Sequence, residues 1–106
     1  MSDKELLELA AKAAGVEIGW DSQGAFLYEP EICALSDAWN PLENDAQALR
    51  LAVKLGLEIR TDGPYLIAVT PRYVDNELYE ERGEDPYAAT RRAIVRAAAE
   101  IGRSRG

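Results

Sequence analysis

The 106 residues predict an α+β fold: three helices packed on one face of a small, mainly antiparallel sheet of four or five strands. Three observations carry that expectation. Apolar residues recur at three and four in three separate segments. Alternating apolar runs come in pairs around glycine-containing turns. Glycine or proline stands at the segment boundaries. The expected order is α-β-β-α-β-β-(β)-α in a single domain, 1–106, since a chain this short buries only roughly two thirds of its unfolded surface and supports one core.

Each element has its own signal. Ser2 and Glu5 form a Ser-x-x-Glu capping box. The stripe Leu6, Leu9, Ala10, Ala13, widened by Leu7 and Ala14, follows it, with Lys4, Glu8 and Lys12 on the other side. Gly15 is the left-handed stop. Val16, Ile18 and Trp20 then alternate with Glu17, Gly19 and Asp21 before a turn and the run AFLYE, which reads as a hairpin with Trp20 on its core face. Pro30 ends the hairpin, and EICALSDAWNPL reads as a loop with a short helical turn around Ile32 to Leu35.

Asn44 and Gln47 repeat the capping-box spacing in amide form, with Asp45 favourable near the positive end of the helix dipole. Ala48, Leu49, Leu51, Ala52 and Leu55 are the expected buried stripe, and Arg50 and Lys54 point away. Gly56 stops this helix, and LEIRTDGPYLIAVTP supplies two strands around a Thr-Asp-Gly-Pro turn. A further strand is expected around Arg72 to Val74. Asp85 before Pro86 starts the last helix, which turns Ile94, Val95, Ala98 and Ile101 inward, and the tail GRSRG frays.

The order helix, glycine, strand, turn, strand thus occurs twice. LAAKAAGVEIGWDSQGAFL and LAVKLGLEIRTDGPYL share Leu-Ala, Lys, Gly, Glu-Ile, Asp, Gly and Leu with small gaps. The pair reads either as a degenerate internal repeat or as convergence on the same helix-stop and hairpin chemistry.

Composition excludes several functions. There is no histidine, so neither a Ser-His-Asp nor a Cys-His site can be assembled. Cys33 is the only cysteine, which rules out an intrachain disulfide or a cysteine-based structural zinc site and favours a reducing cytoplasm; between Ile32 and Ala34 it reads as a small buried apolar residue. No apolar run approaches the ~20 residues of a membrane span. Net charge is −7 and uneven: residues 1–84 hold 17 acids against 7 bases, residues 85–106 hold 2 acids against 5 arginines. Such a body repels nucleic acid and anionic lipid, so neither is an expected partner.

WNPLENDAQALRLAVKLGLEI, with the opening ELLELAAKAAG and the closing DPYAATRRAIVRAAAEIGR, resembles a group of small proteins of tailed bacteriophages and prophages. The resemblance spans roughly half of the chain in three blocks. It implies an origin, and with it the cytoplasm of a bacterial host, and carries over no catalytic residue. Glu43, Asn44 and Asp45 stand where the group suggests more acid and a glycine, which argues against a metal at that turn.

The candidate site is therefore a surface rather than a catalytic set, and no cofactor or metal is expected. Asp75, Glu77, Glu80, Glu81 and Glu84 crowd the segment before the last helix, interleaved with Tyr79. They form either a solvated acidic face or carboxylates that stand in for nucleic-acid phosphates before a basic host protein, tyrosine at an acidic rim being suited to binding. No EF-hand or other ligand spacing is present. Trp39 either covers the start of the second helix or serves as a partner hot spot. Arg91, Arg92 and Arg96 make a solvated helix face, or pair with the acidic segment of another copy in a homo-oligomer. A non-enzymatic accessory protein that binds a host or phage protein, a host-defence complex included, is the leading expectation; a self-assembling phage component is the alternative.

Overall fold

The structure, a computed structural model, describes residues 1–71 and 77–105. The order along them is α1 (Asp3–Ala14), β1 (Ile18–Asp21), β2 (Gly24–Glu29), β3 (Ala34–Ala38), α2 (Asp45–Leu55), β4 (Glu58–Arg60), β5 (Leu66–Thr70), β6 (Leu78–Glu81) and α3 (Pro86–Ser104). The fold is α+β, with helices and hairpins in the expected order. The strands divide, however, into two three-stranded antiparallel sheets, β1-β2-β3 and β4-β5-β6. The expected strand at Arg72–Val74 lies outside the described residues.

The punctuation acts as its chemistry dictates. The Ser2 hydroxyl accepts from the Glu5 amide, and the Asn44 side chain accepts from the Gln47 amide. The Asp85 carboxylate accepts from both Tyr87 and Ala88, with Pro86 at the first helical position. Gly15 and Gly56 hold left-handed backbone at φ 70° and 65°. In both, the next residue donates back into the helix, Val16 to Ala11 and Leu57 to Ala52, each at 2.9 Å. The two helix-to-sheet units are built alike, each a helix, a left-handed glycine and three antiparallel strands.

The core lies where α1, α2 and α3 meet the second sheet. The central strand β5 buries Ile67, Ala68 and Val69, and α3 packs across β5 and β6. Ala10, Ala11 and Ala14 of α1 face Ala93, Ala97 and Ala98 of α3 within one cluster, small side chains that allow the two backbones to close on each other. At Gly102 the approach is so tight that a Cβ would stand 2.0 Å from the Leu9 carbonyl oxygen. The first sheet touches this body through Val16, Ile18, Trp20 and Leu27, which pack half-buried against the core. It extends the molecule to 46 × 29 × 23 Å.

Four expectations are corrected. Residues 34–38, read as loop, form β3: the segment lacks strand-forming alternation and owes its conformation to pairing with β2, where the Ser36 hydroxyl also donates to the Leu27 carbonyl. Leu49 is 60% exposed, because the buried face of α2 is the narrower set Ala48, Leu51 and Ala52, with Leu55 half-buried; position 49 is rotated by one residue past it. Cys33 is exposed, in left-handed backbone at φ 51° in the turn between β2 and β3. The C-terminal tail is helical through Ser104, with Gly102 buried against α1 and the Arg105 guanidinium donating to the Ala13 carbonyl at 2.6 Å.

Candidate functional site

The acidic segment before the last helix folds as the edge strand β6, set against α3. Glu77, Tyr79 and Glu81 are exposed along it, while Glu80 turns towards α3 and pairs with Arg96, whose guanidinium also donates to the Tyr79 carbonyl at 3.3 Å. Alternation along the strand therefore divides the acids, one held to the helix and its neighbours left to solvent. The Tyr79 hydroxyl donates to the Glu77 carboxylate at 2.7 Å. That hydrogen bond, with the negative charge that accepts it, pushes the Tyr79 phenol above its ordinary value. Glu84 is exposed in the turn that leads into α3. Asp75 lies outside the described residues.

The arginines of α3 are engaged within the chain. Arg91 donates to the Leu42 carbonyl at 2.8 Å and pairs with Asp45 at 2.7 Å, tying the start of α3 to the start of α2. Arg92 pairs with Asp3 at 3.3 Å at the head of α1. Together with Arg96 and Glu80, these contacts staple α3 to three neighbouring elements. The residues expected to meet another copy are the ones that hold this copy together.

Trp39 is 7% exposed and belongs to the core, which removes it from any partner surface. Its position is held by Gln47, whose amide donates to the Ala38 carbonyl at 2.7 Å and accepts from the Asn40 amide at 2.6 Å. Only half of the expected amide capping box therefore forms: Asn44 caps the helix, and Gln47 reaches back to the Trp-Asn-Pro segment instead.

Two surface features escaped the sequence reading. A cleft of about 430 Å³ lies between α2, the second sheet and the start of α3; Ile67, Ile94 and Ala48 form its floor, and the exposed Leu49 and Tyr87 its rim. Periodicity alone places Leu49 in the interior. The second feature is the outward face of the first sheet, which carries Phe26 and Tyr28 away from the core-packed Ile18, Trp20 and Leu27. One signal was available in the sequence: residues 13–49 contain seven aspartates and glutamates and no lysine or arginine.

Among the described residues no three cysteine or carboxylate side chains come together as a metal site. No helix among them is long and apolar enough to cross a membrane. The arrangement is an α+β domain of net negative charge in which four arginines, Arg91, Arg92, Arg96 and Arg103, pair with carboxylates of the same chain. No protein-family model matches the chain, and no curated protein or solved structure matches it either.

Proposed function

We propose that this chain is a non-enzymatic accessory protein that works by binding another protein through its acidic surface. The observation that carries the reading is the fate of the charges: Arg91, Arg92 and Arg96 are each paired with a carboxylate of the same chain, while Glu77, Glu81 and Glu84 stand exposed. A surface on which exposed carboxylates outnumber exposed cations steers a partner of the opposite sign and disfavours nucleic acid and anionic membranes. Likeness of the sequence blocks to phage and prophage proteins supports an origin there and a host protein, a defence complex included, as the partner, met in the host cytoplasm. Capture from a bacterial lysate at several salt concentrations, followed by titration of the purified candidate, tests the reading; with no protein retained above background, it is abandoned.

A self-assembling component is the second reading, favoured by Leu49 and Tyr87, large apolar side chains exposed at the rim of the cleft beside α2, and by Val53, exposed one turn further along that helix. Sedimentation at micromolar concentration separates the two. A monomer at all concentrations rejects self-assembly, and a concentration-dependent oligomer lost in Leu49→Glu supports it.

A further inference from the structure

We infer that the outward face of the sheet β1-β2-β3 is the docking surface, and that its occupant is an arginine-rich segment of a partner protein. The inference deepens the protein-binding reading and rests on it, but moves the site away from β6 and α3.

Strand register defines the face. Gly19 lies opposite Phe26, Phe26 lies opposite Ala38, and the Tyr28 amide donates to the Glu17 carbonyl at 3.0 Å, so Glu17 lies opposite Tyr28. Cross-strand partners share a face and neighbours along a strand do not. Glu17, Gly19, Asp21, Phe26, Tyr28 and Ala38 therefore line one side, and Ile18, Trp20 and Leu27, packed against the core, line the other. Among the described residues no helix packs across the outward side as α3 packs across β5 and β6. Gly19 and Ala38, opposite Phe26 on either side, leave the flanks of that ring low, and Phe26 with Tyr28 forms a shelf with a carboxylate at either end of β1.

Charge selects the occupant. Glu17, Asp21, Glu29, Glu31 and Asp37 are exposed on or around this sheet, and none of the four ion pairs among the described residues involves them. A second copy would bring the same carboxylates against themselves, and a phosphate-bearing surface would be repelled. A guanidinium satisfies both features at once: it stacks on a phenyl or phenol face and pairs in its own plane with a carboxylate. Docking falls on the face and not on the β3 edge, because Ser36 and Asp37 both oppose Leu27 in a bulge that disrupts the ladder there.

The test uses the intact protein and a fluorescent nona-arginine peptide, with binding read by anisotropy. Glu17→Gln with Asp21→Asn removes two charges and keeps the acceptor with which Asp21 holds the Gln23 amide in the hairpin turn. Glu8→Gln with Glu58→Gln removes two exposed charges elsewhere. The sheet variant is expected to weaken binding about tenfold and the control less than about twofold, both folding as the parent by circular dichroism. Tyr28→Leu, which keeps bulk and loses the stacking face, is expected to weaken nona-arginine more than nona-lysine. Equal loss in the two double variants, or no binding, overturns the inference. So does dimerisation of the protein alone that the sheet variant abolishes, which gives the face to a second copy. A lysate partner bound equally well by the sheet variant overturns this assignment and leaves the broader protein-binding reading standing.

Discussion

Gln47 brackets Trp39 from α2: its side-chain amide donates to the carbonyl of the residue before the tryptophan and accepts from the amide of the residue after it. Two backbone groups beside a buried indole are thus satisfied by one side chain, and the loop that enters α2 is fixed at the point where Trp39 joins the core. Gln47→Ala leaves both groups without that partner, and the expected loss is about 1–3 kcal/mol of stability. Urea unfolding followed by tryptophan fluorescence checks it. Gln47→Glu keeps the acceptor for Asn40 but sets a carboxylate against the Ala38 carbonyl, so it is expected to recover little.

Gly102 marks the closest approach of α1 and α3. A methyl group there meets backbone rather than a movable side chain, since the Leu9 carbonyl oxygen would lie 2.0 Å away. Gly102→Ala raises helix propensity yet is expected to destabilise by about 2 kcal/mol or more, because the helices must separate to accept it. Thermal unfolding decides the sign. A stabilised variant would contradict so close an α1–α3 crossing.

The Tyr79 phenol is held above its ordinary value by Glu77. Its hydroxyl donates to Glu77, and ionisation would break that bond and place two negative charges together, so the folded-state value lies above the unfolded one. A group raised in this way contributes stability below its unfolded value and loses it as pH climbs through the folded value, above about 10. Absorbance titration of wild type against Glu77→Gln reads the shift, and the substitution is expected to return Tyr79 towards an ordinary phenol.

Cys33 sits exposed in the β2–β3 turn, so a thiol reagent is expected to label native protein fully without denaturant. Labelling that requires unfolding would return Cys33 to the interior where its apolar neighbours placed it on sequence grounds.

Much of the architecture was legible because it rests on local chemistry. Ser2, Asn44 and Asp85 cap, Gly15 and Gly56 stop, and the hairpin turns fall where Gly24 and the Asp-Gly-Pro run require. What escaped depends on distant partners. β3 exists through pairing with β2, Leu49 differs from Leu51 only in which neighbour its side of α2 faces, and Gly102 is explained by Leu9, far away in sequence. The candidate site was half legible: the acids of 77–84 were named, but nothing in their spacing showed that Arg96 would claim Glu80. Trp39 reads on sequence grounds chiefly as packing over the start of α2, with a partner hot spot as the alternative, and Gln47 and the core remove the alternative. The outward face of the first sheet needed strand register to become visible.

The most direct measurement of the central claim, that an acidic surface of this protein binds another protein, is capture from a bacterial lysate across a salt series. The expected result is a basic protein retained at low salt, released progressively as salt screens the exposed carboxylates, and bound by the purified chain in a defined stoichiometry. Nothing retained above background, or retention indifferent to salt, would contradict it.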